Sequence, residues 1–202
     1  MNTKRLIRKV NKVIKIKDFK KYKNFKAKGN LELDGIPIEE LPDGLTVGRT
    51  LNLIDTKIKK LPTRLKVGGD LVLNWSPIEE IPSDVDIGGD LVLENTPIKK
   101  LPDNLIVKGE LDINKTLINE LPNGLVVGRN LIIGRTKIKK LPRDLVVKGN
   151  IVKYCKTTKE IIHMLQNKIK IRLPKGVEGE IDYYKDPDTL YFDDWEEGIN
   201  ED

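Results

Sequence analysis

The chain has 202 residues, of which 38% are hydrophobic and 34% charged, and a formal net charge of +6 at pH 7; this length and apolar content support one domain, or a smaller one with tails, around a buried core. The single cysteine, Cys155, excludes an intramolecular disulfide. No stretch approaches the roughly 20 apolar residues of a membrane span, and "MNTKRLIRKVNKVIKIKDFK" lacks the apolar run of a signal peptide, so a cytoplasmic protein, of the producing or host cell, is expected.

Charge is placed unevenly. Residues 1–28 carry twelve Lys or Arg against Asp18 alone, whereas residues 186–202 carry eight acids and no base. Leu6, Val10, Val13 and Ile14 have helical spacing, which predicts a basic, partly helical N-terminal cap over residues 1–28. Phe19, Tyr22 and Phe25 are expected to close the first coil as a degenerate half-repeat, because a stacked fold must cover its exposed end. The same lysines suit phosphate groups, and nucleic-acid binding through this arm is the alternative function.

From Leu31 the chain repeats every twenty residues, six times without insertion or deletion, aligned at Leu31, Leu51, Leu71, Leu91, Leu111 and Leu131. One unit is "LVLNWSPIEEIPSDVDIGGD", Leu71–Asp90. Its first and third places alternate like a short strand facing inward, the proline at place twelve resists both helix and ladder, and the glycines near place nineteen mark a corner. A unit with one strand, two bends and an extended return closes one solenoid turn, so residues 29–156 are read as a mainly β repeat solenoid of six coils.

The charged pairs at places nine and ten alternate in sign: Glu39 and Glu40, Lys59 and Lys60, Glu79 and Glu80, Lys99 and Lys100, Asn119 and Glu120, Lys139 and Lys140. Equivalent residues of paired strands lie about 4.8 Å apart, so a uniform sign would repel along the whole stack. The alternation is a structural device that also disfavours one-coil slips.

Function is expected on the strand face, where residues flanking the inward leucines point outward. Candidate partner-binding residues there are Glu32, Asp34, Asn52, Asp70, Asn74, Asp90, Glu94, Glu110, Asp112 and Asn114, beside Trp75, whose equivalents are Gly35, Asp55, Asn95, Lys115 and Arg135. An exposed Trp in an acidic field fits a basic protein surface. The competing reading is that Asp70, Asp90 and Glu110 satisfy turn amides and that Trp75 packs on a neighbouring coil.

The segment "LPTRLKVGGDLVLNWSPIEEIP" resembles a leucine-rich repeat, most closely the LPX repeats of bacterial effector ubiquitin ligases, over residues 31–150. The resemblance implies a leucine-rich-repeat-like solenoid used for protein recognition; a simpler β-solenoid is the rival fold. Where that family places Asn for a buried amide ladder, this chain has Ile36, Thr56, Ser76, Thr96, Thr116 and Thr136, and a hydroxyl supplies one donor where an amide supplies two. The family's ligase domain has no room in this chain.

After Ile151 the pattern changes, with Lys153 at an inward place. "TTKEIIHMLQNKI" predicts a helix capped by Thr157 or Thr158, and "IKIRL" a strand, which together make residues 157–184 an α/β C-terminal cap. His163 and Cys155 are the only such residues, with no orienting third group, phosphate loop or metal-ligand spacing, so the chain is read as non-enzymatic with no cofactor and no metal. The acidic tail, residues 185–202, carries Tyr191, Phe192 and Trp195 and suits docking on a basic partner. The expected function is protein–protein recognition, as an inhibitor or adaptor.

Overall fold

The computed structural model describes residues 16–155, 176–177 and 181–185, with side chains from Phe19 to Lys153. The expected N-terminal helix, the helix at "TTKEIIHMLQNKI", the strand at "IKIRL" and the acidic tail lie outside these residues. What is described is a parallel β-solenoid whose only helical element is a 3-10 turn, Ile16–Lys21.

Each coil contributes two short strands. One set forms a continuous eight-stranded parallel sheet: β2 (Leu31–Glu32), β4 (Leu51–Asn52), β6 (Leu71–Val72), β8 (Leu91–Val92), β10 (Leu111–Asp112), β12 (Leu131–Ile132), β14 (Ile151–Cys155) and β16 (Ile181–Lys185). The other set, preceding the glycine corner, forms two four-stranded sheets. The first holds β1 (Lys26–Ala27), β3 (Thr46–Val47), β5 (Lys66–Val67) and β7 (Asp86–Ile87); the second holds β9 (Ile106–Val107), β11 (Val126–Val127), β13 (Val146–Val147) and β15 (Gly176–Val177). Leu31 pairs with Leu51, Leu51 with Leu71 and so on, so the strict sequence period is the register of the sheet. The stack runs past the last repeat, because Ile151 pairs with Ile181 across thirty residues.

The core is a set of columns. Leu71, Leu73, Ile78 and Ile81 are buried together with Ile87, and the same places are buried in the other full coils, apart from half-buried Leu141. Burying one such side chain contributes roughly 1.5–3 kcal/mol, which is why a coil with only two-residue strands holds its shape once stacked. At the N-terminal end Phe19 is buried and packs edge-to-face on Phe25 with ring centroids 5.3 Å apart. Tyr22 is exposed.

The hydroxyls at place six bond within their own coil. Thr56, Ser76, Thr96, Thr116 and Thr136 donate to the carbonyls of Leu53, Leu73, Leu93, Ile113 and Ile133 at 3.0, 2.6, 2.7, 2.7 and 2.6 Å. One donor suffices because the bond turns a corner three residues long, and cohesion between coils comes from other groups. At Ile36 the backbone amide alone makes this bond, to Leu33 at 3.1 Å.

The opposite corner requires positive φ. Asn24, Gly44, Arg64, Asn104 and Gly124 have φ of 58°, 69°, 56°, 59° and 65°. The amides of Asn24, Gly44 and Asn104 donate to carbonyls of the next coil at Asp43, Thr63 and Asn123. Asp84 and Asp144 depart from this geometry, and their carboxylates accept instead from the amides of Arg64 and Gly124, each at 2.8 Å. At the glycine corner, a Cβ on Gly68 would stand 2.5 Å from the Gly48 carbonyl oxygen, so the coils approach there as closely as backbone allows.

The break between β7 and β9 is the one interruption in this second ladder. Lys108 Nζ reaches Asp86 Oδ1 across it at 3.4 Å, and Ile106 stands 57% exposed beside it.

Candidate recognition surface

The continuous sheet presents its outer face through the residues between and around the inward leucines. Strand pairing sets Glu32, Asn52, Val72, Val92, Asp112 and Ile132 in one row, each half-buried. A second row, two residues on, holds exposed Asp34, half-buried Ile54, Asn74 and Glu94, and buried Asn114 and Gly134. Alternation in a strand predicts direction but not depth, which is why Asn114 faces outward in the pattern and is nevertheless enclosed.

Several acids on this face hold the stack together. Asp70 Oδ1 accepts from the Asp90 amide at 2.9 Å, and Asp90 Oδ1 from the Glu110 amide at 2.7 Å. Glu110 Oε2 accepts from Asn130 Nδ2 at 3.0 Å, and Asn130 Oδ1 accepts in turn from the Asn150 amide at 3.0 Å. Asn52 and Asp112 accept from amides two residues ahead, at Ile54 and Asn114. Glu94 Oε1 takes both Asn114 Nδ2 at 3.2 Å and Lys115 Nζ at 3.3 Å.

Asp112 is half-buried within this cluster. Burial pushes its carboxyl up to about 6; the bond from the Asn114 amide lowers it, Glu94 and Glu110 raise it further, and Lys115 lowers it. A carboxyl that titrates near 6 beside a network of amides is a pH-dependent element of the face.

Trp75 stands apart from this network. Its side chain is 62% exposed and its φ is 61°, a left-handed conformation shared by Gly35, Asp55, Asn95 and Lys115 in the same column. Gly, Asn and Asp tolerate that conformation, but for a bulky residue it is an outlier costing roughly 1–2 kcal/mol. Trp75 therefore stands mostly open at the corner. Beside it, Asn74 Oδ1 and Asn95 Nδ2 are enclosed with no hydrogen-bond partner.

No family model, curated protein or solved structure matches the chain. Among the described residues no group of three or more His, Cys, Asp or Glu is placed to hold a metal ion. None of the described helices is long and apolar enough to cross a membrane. Tyr191, Phe192 and Trp195 lie outside the described residues.

The sign alternation extends further than the repeats. Lys20 pairs with Glu40 and Lys60 Nζ lies 3.0 Å from Glu80 Oε1, so place ten runs Lys20, Glu40, Lys60, Glu80, Lys100, Glu120, Lys140. Lys20 was missed as part of this column because the residues around it do not match the repeat; counting back twenty from Glu40 would have found it.

Proposed function

We propose that the chain is a non-enzymatic protein-recognition module, an inhibitor or adaptor acting in the cytoplasm, which engages a basic surface of its partner through the strand face around Trp75. The likeness to LPX-type leucine-rich repeats supports this reading, since such repeats serve as recognition surfaces. One observation carries it: a large aromatic stands 62% exposed at a left-handed corner whose equivalents are Gly35, Asp55, Asn95, Lys115 and Arg135, none of them apolar. The corner imposes this backbone on five successive coils, so what calls for a function is the choice of an exposed Trp there. A Trp open on a face with few cations has the character of an interaction anchor. The acidic tail, with Tyr191, Phe192 and Trp195, is proposed as a second docking element for the same basic partner.

The test is affinity capture from a nuclease-treated lysate with the wild-type chain and Trp75→Asn side by side. A stoichiometric protein retained by the wild type and lost with the variant supports the reading. A captured protein indifferent to the substitution sinks it, and recovery that disappears with nuclease moves the function to the basic arm.

A further inference from the structure

Trp75 does not stand on a uniformly acidic surface. Val72 and Val92 are paired across β6 and β8, and Ile54 lies one coil back beside Asn74, all half-buried and facing outward. Together with Trp75 they make an apolar island confined to the second, third and fourth coils. Paired strands are about 4.8 Å apart, so the island is about the size of one or two large side chains.

Acids border it at both ends. Glu32 and Asp34 lie on the first coil, and Glu94 and Asp112 on the fourth and fifth, while Asp55 adjoins Trp75 at the corner. Two cations that reach this face are held by its acids, Lys115 by Glu94 at 3.3 Å and Arg129 by Asp90 at 3.8 Å. Asp70, Asp90 and Asp112 are engaged with backbone amides and Glu94 with Asn114 and Lys115, so the acids of the rim left for a partner are Glu32, Asp34 and Asp55. An apolar centre with an aromatic anchor and a charged border is the anatomy of an interface hot spot, in which the centre supplies affinity and the border supplies orientation and rate.

We infer that the island seats one large apolar side chain of a partner protein, carried on a segment with Arg or Lys beside it. The apolar group rests on Val72, Val92 and Trp75, and the neighbouring cation reaches Glu32, Asp34 or Asp55. This rests on the strand face being the recognition surface, and adds the chemistry of what is recognised.

The experiment is selection of a random dodecapeptide display library on the full chain, with depletion on Trp75→Asn. The expected peptides share a Phe, Trp, Leu or Ile with Arg or Lys within three residues of it. Binding of a representative synthetic peptide should fall about tenfold with Val72→Thr/Val92→Thr, a substitution that keeps the β-branched shape. Glu32→Gln/Asp34→Asn should weaken the same peptide and flatten its salt dependence. Circular dichroism confirms that each variant is folded.

Peptides that lack the cations, or that ignore the valine pair, overturn the inference while leaving recognition through Trp75 intact. No Trp75-dependent enrichment overturns it as well, and the capture experiment then decides the broader reading independently. Concentration-dependent dimerisation abolished by the valine substitutions also overturns it, by assigning the island to a second copy of the chain.

Discussion

Lys60 and Glu80 occupy the same place on consecutive coils, and their charged atoms meet at 3.0 Å. The hydrogen bond to Glu80, and then its charge, raise the Lys60 ammonium above its ordinary value. Both side chains are exposed, so the pair is screened and stabilises little by itself. Its importance lies in repetition. Glu80→Lys places three like charges in succession, and should lower the melting temperature by a few degrees at low salt and by much less in 1 M NaCl, read by thermal denaturation.

Trp75→Asn is expected to separate stability from binding. Asn tolerates the left-handed backbone already adopted by Asn95 at φ 57°, so the variant should be more stable than the wild type by about 1 kcal/mol in urea denaturation. It should at the same time lose the partner. A loss of stability would mean that the indole packs on the fold after all.

Asp112 supplies a pH dependence whose sign can be worked out. Its folded value is raised from 3.8 to about 6, so between those values the folded state binds more protons than the unfolded state and stability rises as pH falls. The stabilisation is complete below 3.8 and is lost as pH rises through about 6. Asp112→Asn keeps the acceptor for the Asn114 amide and removes the buried charge. It should be the more stable protein at pH 7.5, with the difference from the wild type vanishing by about pH 4 in parallel urea titrations.

The place-six hydroxyls predict a modest and local effect. Thr96→Val removes the bond to the Leu93 carbonyl and should cost about 1 kcal/mol, whereas Leu93→Ala, in the column behind it, should cost about 2–5 kcal/mol. Equal losses would mean that the hydroxyl does more than close its own turn.

Amide exchange should expose the break between β7 and β9. The amides of Val126 and Gly128 are bonded to Leu105 and Val107 at 3.0 and 2.9 Å, while β9 has no strand on its other side. Ile106 and Lys108 should therefore exchange faster than Val126 and Gly128 under native conditions. Equal protection would show that the ladder closes in solution.

The fold was legible because its signal is redundant. Every coil restates the same inward leucines, and a twenty-residue period without gaps leaves one register. What was not legible depends on single side chains. Asp84 and Asp144 look like ordinary turn residues, yet each substitutes a carboxylate for the carbonyl that other coils use. Asn114 follows the outward pattern but is covered by its bonds to Glu94 and the Arg135 amide. The acidic character of the face was visible, but which acids hold the stack together required hydrogen-bond partners. The break in the second ladder has no counterpart in the spacing, which is as regular there as elsewhere.

The alternating column also sets a grain size for change in this molecule. Excising residues 51–70 would preserve every inward leucine and every strand register, yet it would bring Glu40 against Glu80 and reverse the match at that junction. Excising residues 51–90 would bring Glu40 against Lys100 and restore it. Geometry permits growth by one coil, but electrostatics favours growth by two. Lineages of such a chain should therefore lengthen and shorten in steps of forty residues, and odd steps should be followed by charge reversals on one side of the join.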